Sequence, residues 1–338
     1  LVLCGLIFAF VERRALGTTY GDARHGIWSA LVRTGLQRLH RTGFHPQNWR
    51  PNLVIMGGEV EKRAHLLELG SSIVQDRGIV TYFFLLRGSV EENQARRAEL
   101  LKRMDDRIAA AFPHVFYRVE VADDIYRGIV NVAQSYGVGN FEANTVMLGW
   151  PNKPERAAAY VDALRDLVLL DRSLLLVRHR PEGFGAHRHI QIWWGGLRGN
   201  GGLMLLLAFL ITADERFRKA HVTVVTVVEH DADRPRAERA MARLLGQARL
   251  PAQARVIVRA GEPIAALMNR ESTDADLAII GLRLPERGEP ADPFFEHMDS
   301  LLANLPTTIL VKSAQSFEGS PVLFDVASKP QESQGARR

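Results

Sequence analysis

The stretch IQIWWGGLRGNGGLMLLLAFLI, residues 190–211, joins two apolar runs through a turn that is rich in glycine. The first run, IQIWW, is typical of a buried strand, and the second, 203–211, is about half as long as a bilayer-spanning helix. We therefore predict a strand, a tight turn and a buried core helix. Phosphate-binding loops also occur between a strand and a helix, so the turn has a second interpretation as a ligand site.

Apolar runs of this kind recur along the chain and are separated by amphipathic stretches. They are rich in valine, isoleucine and leucine and alternate little with polar residues, which is typical of strands buried on both faces of a parallel sheet. Strand and helix patterns alternate throughout, so the predicted fold class is α/β with doubly wound parallel sheets. The predicted strands are 53–58, 79–86, 115–121, 144–150 and 173–179, followed by 190–194, 222–228, 254–260, 276–282 and 307–313.

The two sets of five strands follow the same order, which indicates two halves of similar structure. NTVMLGWP, 144–151, and DLAIIGLRLP, 276–285, each give a strand, a glycine and a proline. A duplication about 135 residues apart accounts for this correspondence. The segment 180–188 is rich in glycine and proline and marks the boundary, so we predict subdomains at 51–183 and 184–314.

The composition is that of a globular protein, with 46% hydrophobic and 24% charged residues among 338. Cys4 is the single cysteine, which excludes an internal disulfide and a thiolate metal cluster. The formal charge of +5 resides in residues 11–50, which hold seven arginines and two acidic residues. Nucleic-acid binders usually interleave a basic patch with aromatic residues, so no nucleic-acid partner is expected here. Residues 315–338 are polar and are expected to form a mobile tail.

The chain opens with the apolar run LVLCGLIFAF, 1–10, followed closely by Arg13 and Arg14. Ten apolar residues are too few to span a bilayer, and the pattern of a signal peptide is missing. One hypothesis is that 1–14 is the end of a transmembrane helix, with Arg13 and Arg14 as membrane-proximal residues on the cytoplasmic side. The other is a buried N-terminal helix of a soluble protein.

Residues 15–50 are predicted to form a linker around an amphipathic helix from Asp22 to about Leu39. Asp22 can cap this helix by accepting hydrogen bonds from its first backbone N–H groups. Ile27, Leu31 and Leu39 lie on one apolar stripe. The arginines off this stripe form either a solvated face or a surface near anionic lipid headgroups; they are Arg24, Arg38 and Arg41.

No stretch of the sequence carries a recognisable catalytic arrangement. The glycine turn lacks the G-K-[ST] ending of a P-loop and the G-x-G-x-x-G spacing of a dinucleotide site, which favours a tight turn over a ligand site. His187 and His189 lie in the predicted linker between the halves, and we expect them in a solvated loop without a metal. The acidic pairs are adjacent in sequence and do not face each other; they are Asp105–Asp106 and Asp123–Asp124. The chain is therefore predicted not to be an enzyme.

Five stretches agree in order and spacing with one family from about Gly21 to Lys312. They are YGDARHGIWSALVR, HPQNWRPNLVIMGG, NTVMLGWPNKPE, IQIWWGGLRGNGGLMLLLAFLI and ADLAIIGLRLPE. In combination they resemble the cytosolic C-terminal domain of cation–chloride cotransporters, which belong to the amino acid–polyamine–organocation superfamily. The family-motif residues are Asn48, Trp49, Arg50, Pro51, Asn144, Gly149, Trp150, Pro151, Trp193, Trp194, Gly201 and Gly202.

The resemblance implies a domain of two universal-stress-protein-like units related by a pseudo-two-fold axis, which forms a homodimer and regulates transport. It also implies a transmembrane core outside this sequence, which performs coupled symport of Cl⁻ with K⁺ and/or Na⁺. The domain would then lie on the cytoplasmic side of the cell membrane as part of an integral membrane protein. This favours the membrane-helix hypothesis for residues 1–14.

The chain departs from the family pattern in two places. Residues 268–276 are short where eukaryotic members carry phosphorylatable insertions, so kinase control of that kind is not expected. The universal-stress-protein nucleotide motif is not met at GWPNKPE or GLRLPERG, so no cofactor is required. An adenine nucleotide held by backbone contacts stays open, with no residue assigned to it. Two alternative functions also stay open: an adenine-nucleotide-binding sensor and the tail of an amino-acid permease of the same superfamily.

Overall fold

The computed structural model describes residues 23–42, 49–75, 77–139, 141–151, 156–195, 197–248 and 250–317. The helices are α1 (Ala23–Arg41), α2 (Ala64–Val74), α3 (Val90–Ala111), α4 (Ile125–Ser135), α5 (Ala157–Leu169), α6 (Gly202–Ala213), α7 (Arg234–Gln247), α8 (Ile264–Glu271) and α9 (Ala291–Leu302). The strands are β1 (Asn52–Gly57), β2 (Ile79–Arg87), β3 (Val115–Ala122), β4 (Gly137–Val138), β5 (Phe141–Glu142), β6 (Thr145–Gly149), β7 (Ser173–Arg178), β8 (His189–Trp193), β9 (His221–Val228), β10 (Ala252–Val258), β11 (Leu277–Gly281) and β12 (Thr307–Lys312).

The chain divides into two compact units, and the smaller consists of Leu1–Phe44 with Gly137–Glu142. Its described part is α1 and the antiparallel hairpin of β4 and β5. A helix therefore lies where the linker helix is predicted, although its proposed cap, Asp22, lies outside the described residues. The apolar stripe of α1 is exposed, with Leu31 at 54%. The hairpin was not predicted, because strands of two residues carry no periodic signal.

The larger unit consists of His45–Tyr136 with Ala143–Arg338, and ten of its described strands form one sheet. The strand order is β10-β9-β8-β11-β12-β7-β6-β1-β2-β3. All neighbouring strands are parallel except β7 and β12, which pair antiparallel with Leu176 opposite Leu310. Counted along its own strands, each half has the order 3-2-1-4-5, and the halves meet along their fifth strands. The predicted α/β fold with parallel strands is confirmed, and the two halves share one sheet.

Helices cover both faces of this sheet and give two apolar core layers. One layer contains α2, α3, α6 and α7, and the other contains α4, α5, α8 and α9. The segment predicted as a buried core helix is α6, in which Leu203, Leu205 and Ala208 are fully buried. α2 of the first half packs against α6 of the second, so each side of that helix meets apolar neighbours. This explains why α6 is apolar almost throughout rather than amphipathic.

Candidate functional site

The first motif, NWRP, fixes the start of β1. Trp49 is buried in the core, and Pro51 is buried beside it, whereas Arg50 is exposed. Asn144 holds this segment from the neighbouring strand: its Nδ2 donates to the carbonyl of Arg50 at 2.7 Å, and its Oδ1 accepts from the backbone N–H of Asn52 at 3.1 Å. The motif therefore locks the entry of β1 to that of β6. Asn48 lies outside the described residues.

Asp276, which is not one of the family-motif residues, occupies the equivalent position in the second half. Its carboxylate accepts hydrogen bonds from the backbone N–H groups of Ala186, Arg188 and His189 at 2.9, 2.7 and 3.0 Å. Burial raises the pKa of this carboxyl, but the three N–H donors and the nearby His187 outweigh burial and lower it. The alignment of NTVMLGWP with DLAIIGLRLP places Asp276 opposite Asn144. The role of Asp276 could therefore have been predicted from the internal repeat.

The motif Gly149–Trp150–Pro151 joins the two halves. Trp150 is 4% exposed, and its ring packs against Phe294 and Phe295 of α9 with centroids 6.1 and 5.3 Å away. Its indole Nε1 donates to Asp299 Oδ1 at 3.0 Å. A residue that follows the fourth strand of the first half thus anchors a helix of the second half.

In each half, the strand order reverses between the first and the fourth strand. Ligands of doubly wound folds bind at such a point, beyond the carboxyl ends of these two strands. In the first half, this point lies at Gly57 and Gly149, and the side chain of Arg63 covers it. A Cβ added at Gly149 would lie 2.6 Å from Arg63 Nη1. Arg63 is half-buried and forms no ion pair with a described residue. This point is therefore electropositive and lined by glycines.

In the second half, the glycine turn lies at the equivalent point. The glycine turn contains a short π-helical turn, Leu197–Gly201, and α6 begins at Gly202. Asn200 of this turn donates from Nδ2 to the carbonyl of Leu282 at 3.0 Å and accepts from the backbone N–H of Ser313 at 2.9 Å. Its side chain lies against Gly281, where an added Cβ would be 3.2 Å from Nδ2. Asn200 therefore joins the glycine turn to the residues that follow β11 and β12.

Trp193 and Trp194 point into opposite core layers, as the alternation of strand side chains predicts. Trp193 lies in the layer of α8 and α9, and Trp194 packs against the layer of α6 and α7. The Trp193 Nε1 donates to Ser272 Oγ at 3.1 Å, and Gln191 Nε2 donates to the carbonyl of Glu271 at 2.9 Å. These residues form a buried polar contact between β8 and α8.

The prediction of a solvated loop is wrong for His187 and His189. His187 packs edge-on against Phe217 with ring centroids 4.5 Å apart, and His189 stacks on His221 at 4.1 Å. Both side chains are half-buried, because Phe184 and the start of β8 draw the linker onto the core. Within the described ranges, no group of three or more histidine, cysteine or acidic side chains could hold a metal ion.

A second stacked pair of histidines lies where the first half meets the linker. His65 of α2 stacks on His179, with ring centroids 3.9 Å apart and an angle of 12° between the planes. Burial, the charge of His179 and the charge of Arg63 lower the pKa of His65 to about 4. Burial also lowers the pKa of His179. This pair is therefore neutral at pH 7.

The acidic pairs have structural partners. Asp124 caps α4 by accepting from the backbone N–H groups of Tyr126 and Arg127 at 3.0 and 3.1 Å. It also pairs with Arg156, whose hydrogen bond is the main cause that lowers the pKa of Asp124. Asp105 accepts from the Tyr117 hydroxyl, which raises the pKa of that tyrosine to about 12.

The N-terminal hypotheses fall on residues that the structure does not describe, including Arg13, Arg14 and the whole of 1–14. In the described portion of the chain, no helix combines the length and apolar character that crossing a membrane requires.

Comparison with known proteins places this fold. The model of solute carrier family 12 matches residues 184–263. The structure is similar to the cytoplasmic domain of a prokaryotic cation chloride cotransporter, with a TM-score of 0.60 and 17% identity over 81% of this chain and 99% of that one. It is also similar to a universal stress protein from Archaeoglobus fulgidus, with a TM-score of 0.55 and 14% identity over 79% of this chain and 98% of that one. The predicted resemblance to cation–chloride cotransporters and the predicted universal-stress-protein-like fold are both confirmed.

Proposed function

We propose that this chain, which resembles solute carrier family 12, is the cytosolic regulatory and dimerisation domain of a secondary-active membrane transporter. The observation that carries the proposal is the ten-stranded sheet, in which β7 pairs with β12, in a chain whose residues 184–263 match the family model. A transmembrane core outside this sequence would perform coupled symport of Cl⁻ with K⁺ and/or Na⁺. The domain would lie on the cytoplasmic side of the membrane.

The contacts between the halves support a regulatory role. The halves are joined by the β7–β12 pair and by Trp150 against α9. Arg165 of α5 makes the reverse contact, because its Nε donates to the carbonyl of Pro285 at 2.9 Å. Through these contacts, a displacement of one half would be passed on to the other. We assign the motif residues to this framework and place the subdomains at 51–183 and 184–314.

Reconstitution of the full-length gene product in liposomes tests the transport proposal. We expect Cl⁻ uptake that requires K⁺ or Na⁺, and we expect Trp150→Ala to change its rate. Val90→Asp, an exposed position at the start of α3, is the control that should leave the rate unchanged. Uptake of amino acids without Cl⁻ would favour the permease alternative. A full-length product without membrane spans would overturn the proposal.

The exposed stripe on α1 supports dimerisation. Leu31 is 54% exposed and Val32 is 60% exposed, and burial of such side chains against a second copy would be favourable. We expect the full chain to sediment as a dimer and Leu31→Asp to sediment as a monomer, whereas Val90→Asp stays dimeric. Equal sedimentation of the two variants would contradict this part of the proposal.

A second candidate function, an adenine-nucleotide sensor, is favoured by the electropositive point at Arg63. Under this candidate, ATP should raise the melting temperature of the full chain, and Arg63→Gln should remove that rise. Arg118→Gln, on the exposed edge strand β3, serves as the control. A melting temperature that ATP does not change would exclude this candidate.

A further inference from the structure

The two halves differ at the position that follows the fourth strand. The backbone N–H of Trp150 donates to the carbonyl of Val177 at 2.8 Å, and that of Leu282 donates to the carbonyl of Val311 at 2.7 Å, so the two residues are equivalent. In the first half the indole ring bridges to α9. In the second half Leu282 carries no ring, and a cavity of about 590 Å³ lies beside it. This volume is within the usual range for small-molecule sites.

The cavity is framed by both halves. Its walls are the C-terminal end of α5, the segment 282–287 that follows β11, Lys312 at the end of β12, and Gly199 and Asn200 of the glycine turn. Arg165 fixes the shape of the 282–287 segment, because its guanidinium donates to the carbonyls of Pro285 and Glu286. The side chain of Arg165 is only 16% exposed, and its Nη1 also donates to Asp162 at 2.8 Å. The walls are thus set before any ligand binds.

The lining carries an excess of positive charge. It contains four basic residues and one acidic residue, Glu286. Arg283 lies 3.6 Å from Glu286, but both side chains are more than three-quarters exposed, so this ion pair contributes little. Arg283 and Arg287 are therefore able to engage an anion that enters the cavity.

The same cavity has an apolar side. Leu169 is 72% exposed, and no other large hydrophobic residue among the described ones is as exposed. Val168 and Leu284 line the wall beside it. An exposed leucine next to a concave basic surface matches a ligand that has both an apolar body and an anionic group.

We propose that the cavity between the C-terminal end of α5 and the 282–287 segment binds an amphipathic anion, in which a phosphate or carboxylate is joined to an apolar body. The anionic group contacts Arg283 and Arg287, and the apolar body covers Leu169 and Leu284. This site is distinct from the glycine-lined point at Arg63, which lies at the carboxyl ends of the first-half strands.

Calorimetric titration of the full chain with 1-naphthyl phosphate tests the proposal. Inorganic phosphate and 1-naphthol are titrated separately, because they represent the anionic group and the apolar body of that probe. We expect 1-naphthyl phosphate to bind, and we expect inorganic phosphate and 1-naphthol each to bind at least about tenfold more weakly. Equal binding of inorganic phosphate or of 1-naphthol would overturn the amphipathic assignment. Competition by decyl phosphate would identify a lipid-derived ligand, and competition by ATP a soluble organic phosphate.

Two exposed substitutions locate the site without disturbing the core. Leu169→Asp and Arg283→Glu should each weaken 1-naphthyl phosphate about tenfold or more, because each puts a negative charge at the cavity. The matched controls are Val90→Asp, which also replaces an exposed apolar residue, and Arg234→Glu, which also breaks an exposed pair with an acid three residues away. If the cavity variants bind the probe as their controls do, the site is not here.

Discussion

The indole Nε1 of Trp150 and the Oδ1 of Asp299 are 3.0 Å apart, and this hydrogen bond joins the first half of the sheet unit to α9 of the second. It is supported by the packing of the indole on Phe294 and Phe295. The equivalent contact in the opposite direction runs from α5 of the first half to the segment after β11 of the second. It is made by the guanidinium of Arg165, where α9 contributes the carboxylate of Asp299. The repeat therefore preserves the place of the contact and changes its chemistry.

Trp150→Phe should destabilise the chain by about 1–3 kcal/mol, because it removes a hydrogen bond to a charged acceptor while it keeps an aromatic ring. Trp150→Ala should cost about 3–5 kcal/mol, since it also leaves a cavity in the core. Urea unfolding measures both values. A double-mutant cycle of Trp150→Phe with Asp299→Ala isolates the pair, and a coupling free energy near zero would contradict the assignment.

Gly185→Ala should destabilise the chain more than Gly183→Ala. Both glycines have positive φ, at 56° and 68°, so each alanine pays about 1 kcal/mol or more for a left-handed backbone. A Cβ at Gly185 would also lie 2.0 Å from Asp276 Oδ1, whereas one at Gly183 meets nothing within 4 Å. Equal unfolding free energies for the two variants would show that the contact with Asp276 does not constrain this linker.

Asp276→Asn should cost about 2 kcal/mol, because the amide nitrogen would face a backbone N–H where the carboxylate now accepts one. The matched control is Asp274→Asn, an exposed neighbour, for which we expect a change of no more than about 0.5 kcal/mol. Chemical unfolding at pH 7 measures both. Similar values for the two variants would mean that the three backbone N–H groups can bond to water in place of the Asp276 carboxylate without a loss of stability.

His65 gives the fold a dependence on pH. Its pKa is lowered from 6.5 to about 4 in the folded chain, so protons bind the unfolded state more strongly. Stability is therefore fully present above pH 6.5 and is lost as the pH falls from 6.5 towards 4. His65→Phe keeps the ring contact with His179 and should make this decline shallower, and His114→Gln, at an exposed histidine, should not. Urea midpoints measured at pH 7 and pH 5 distinguish the two, and parallel pH profiles for wild type and His65→Phe would refute the role of His65.

Particular residues show how far the sequence predicts this structure. The run 190–211 contains its own strand, turn and core helix, and the equivalence of NTVMLGWP with DLAIIGLRLP is visible without coordinates. The roles of His187 and His189 were misjudged, because their partners Phe217 and His221 lie on elements that are distant in sequence. The role of Asn200 was also missed, since its hydrogen-bond partners Leu282 and Ser313 are distant in sequence.

The sequence by itself determined the α/β class, the two halves and the buried character of α6, because the periodicity of apolar residues reflects local backbone geometry and the burial of each face. Only the tertiary structure decided that β7 and β12 fuse the halves into one sheet and that Trp150 and Arg165 make reciprocal contacts across it. It alone decided that the side chain of Arg63 lies over Gly149 and that the side chain of Asn200 binds Leu282 and Ser313. The physical reason is that these contacts join side chains on separate elements, whose proximity depends on the packing of the whole sheet and not on any local pattern.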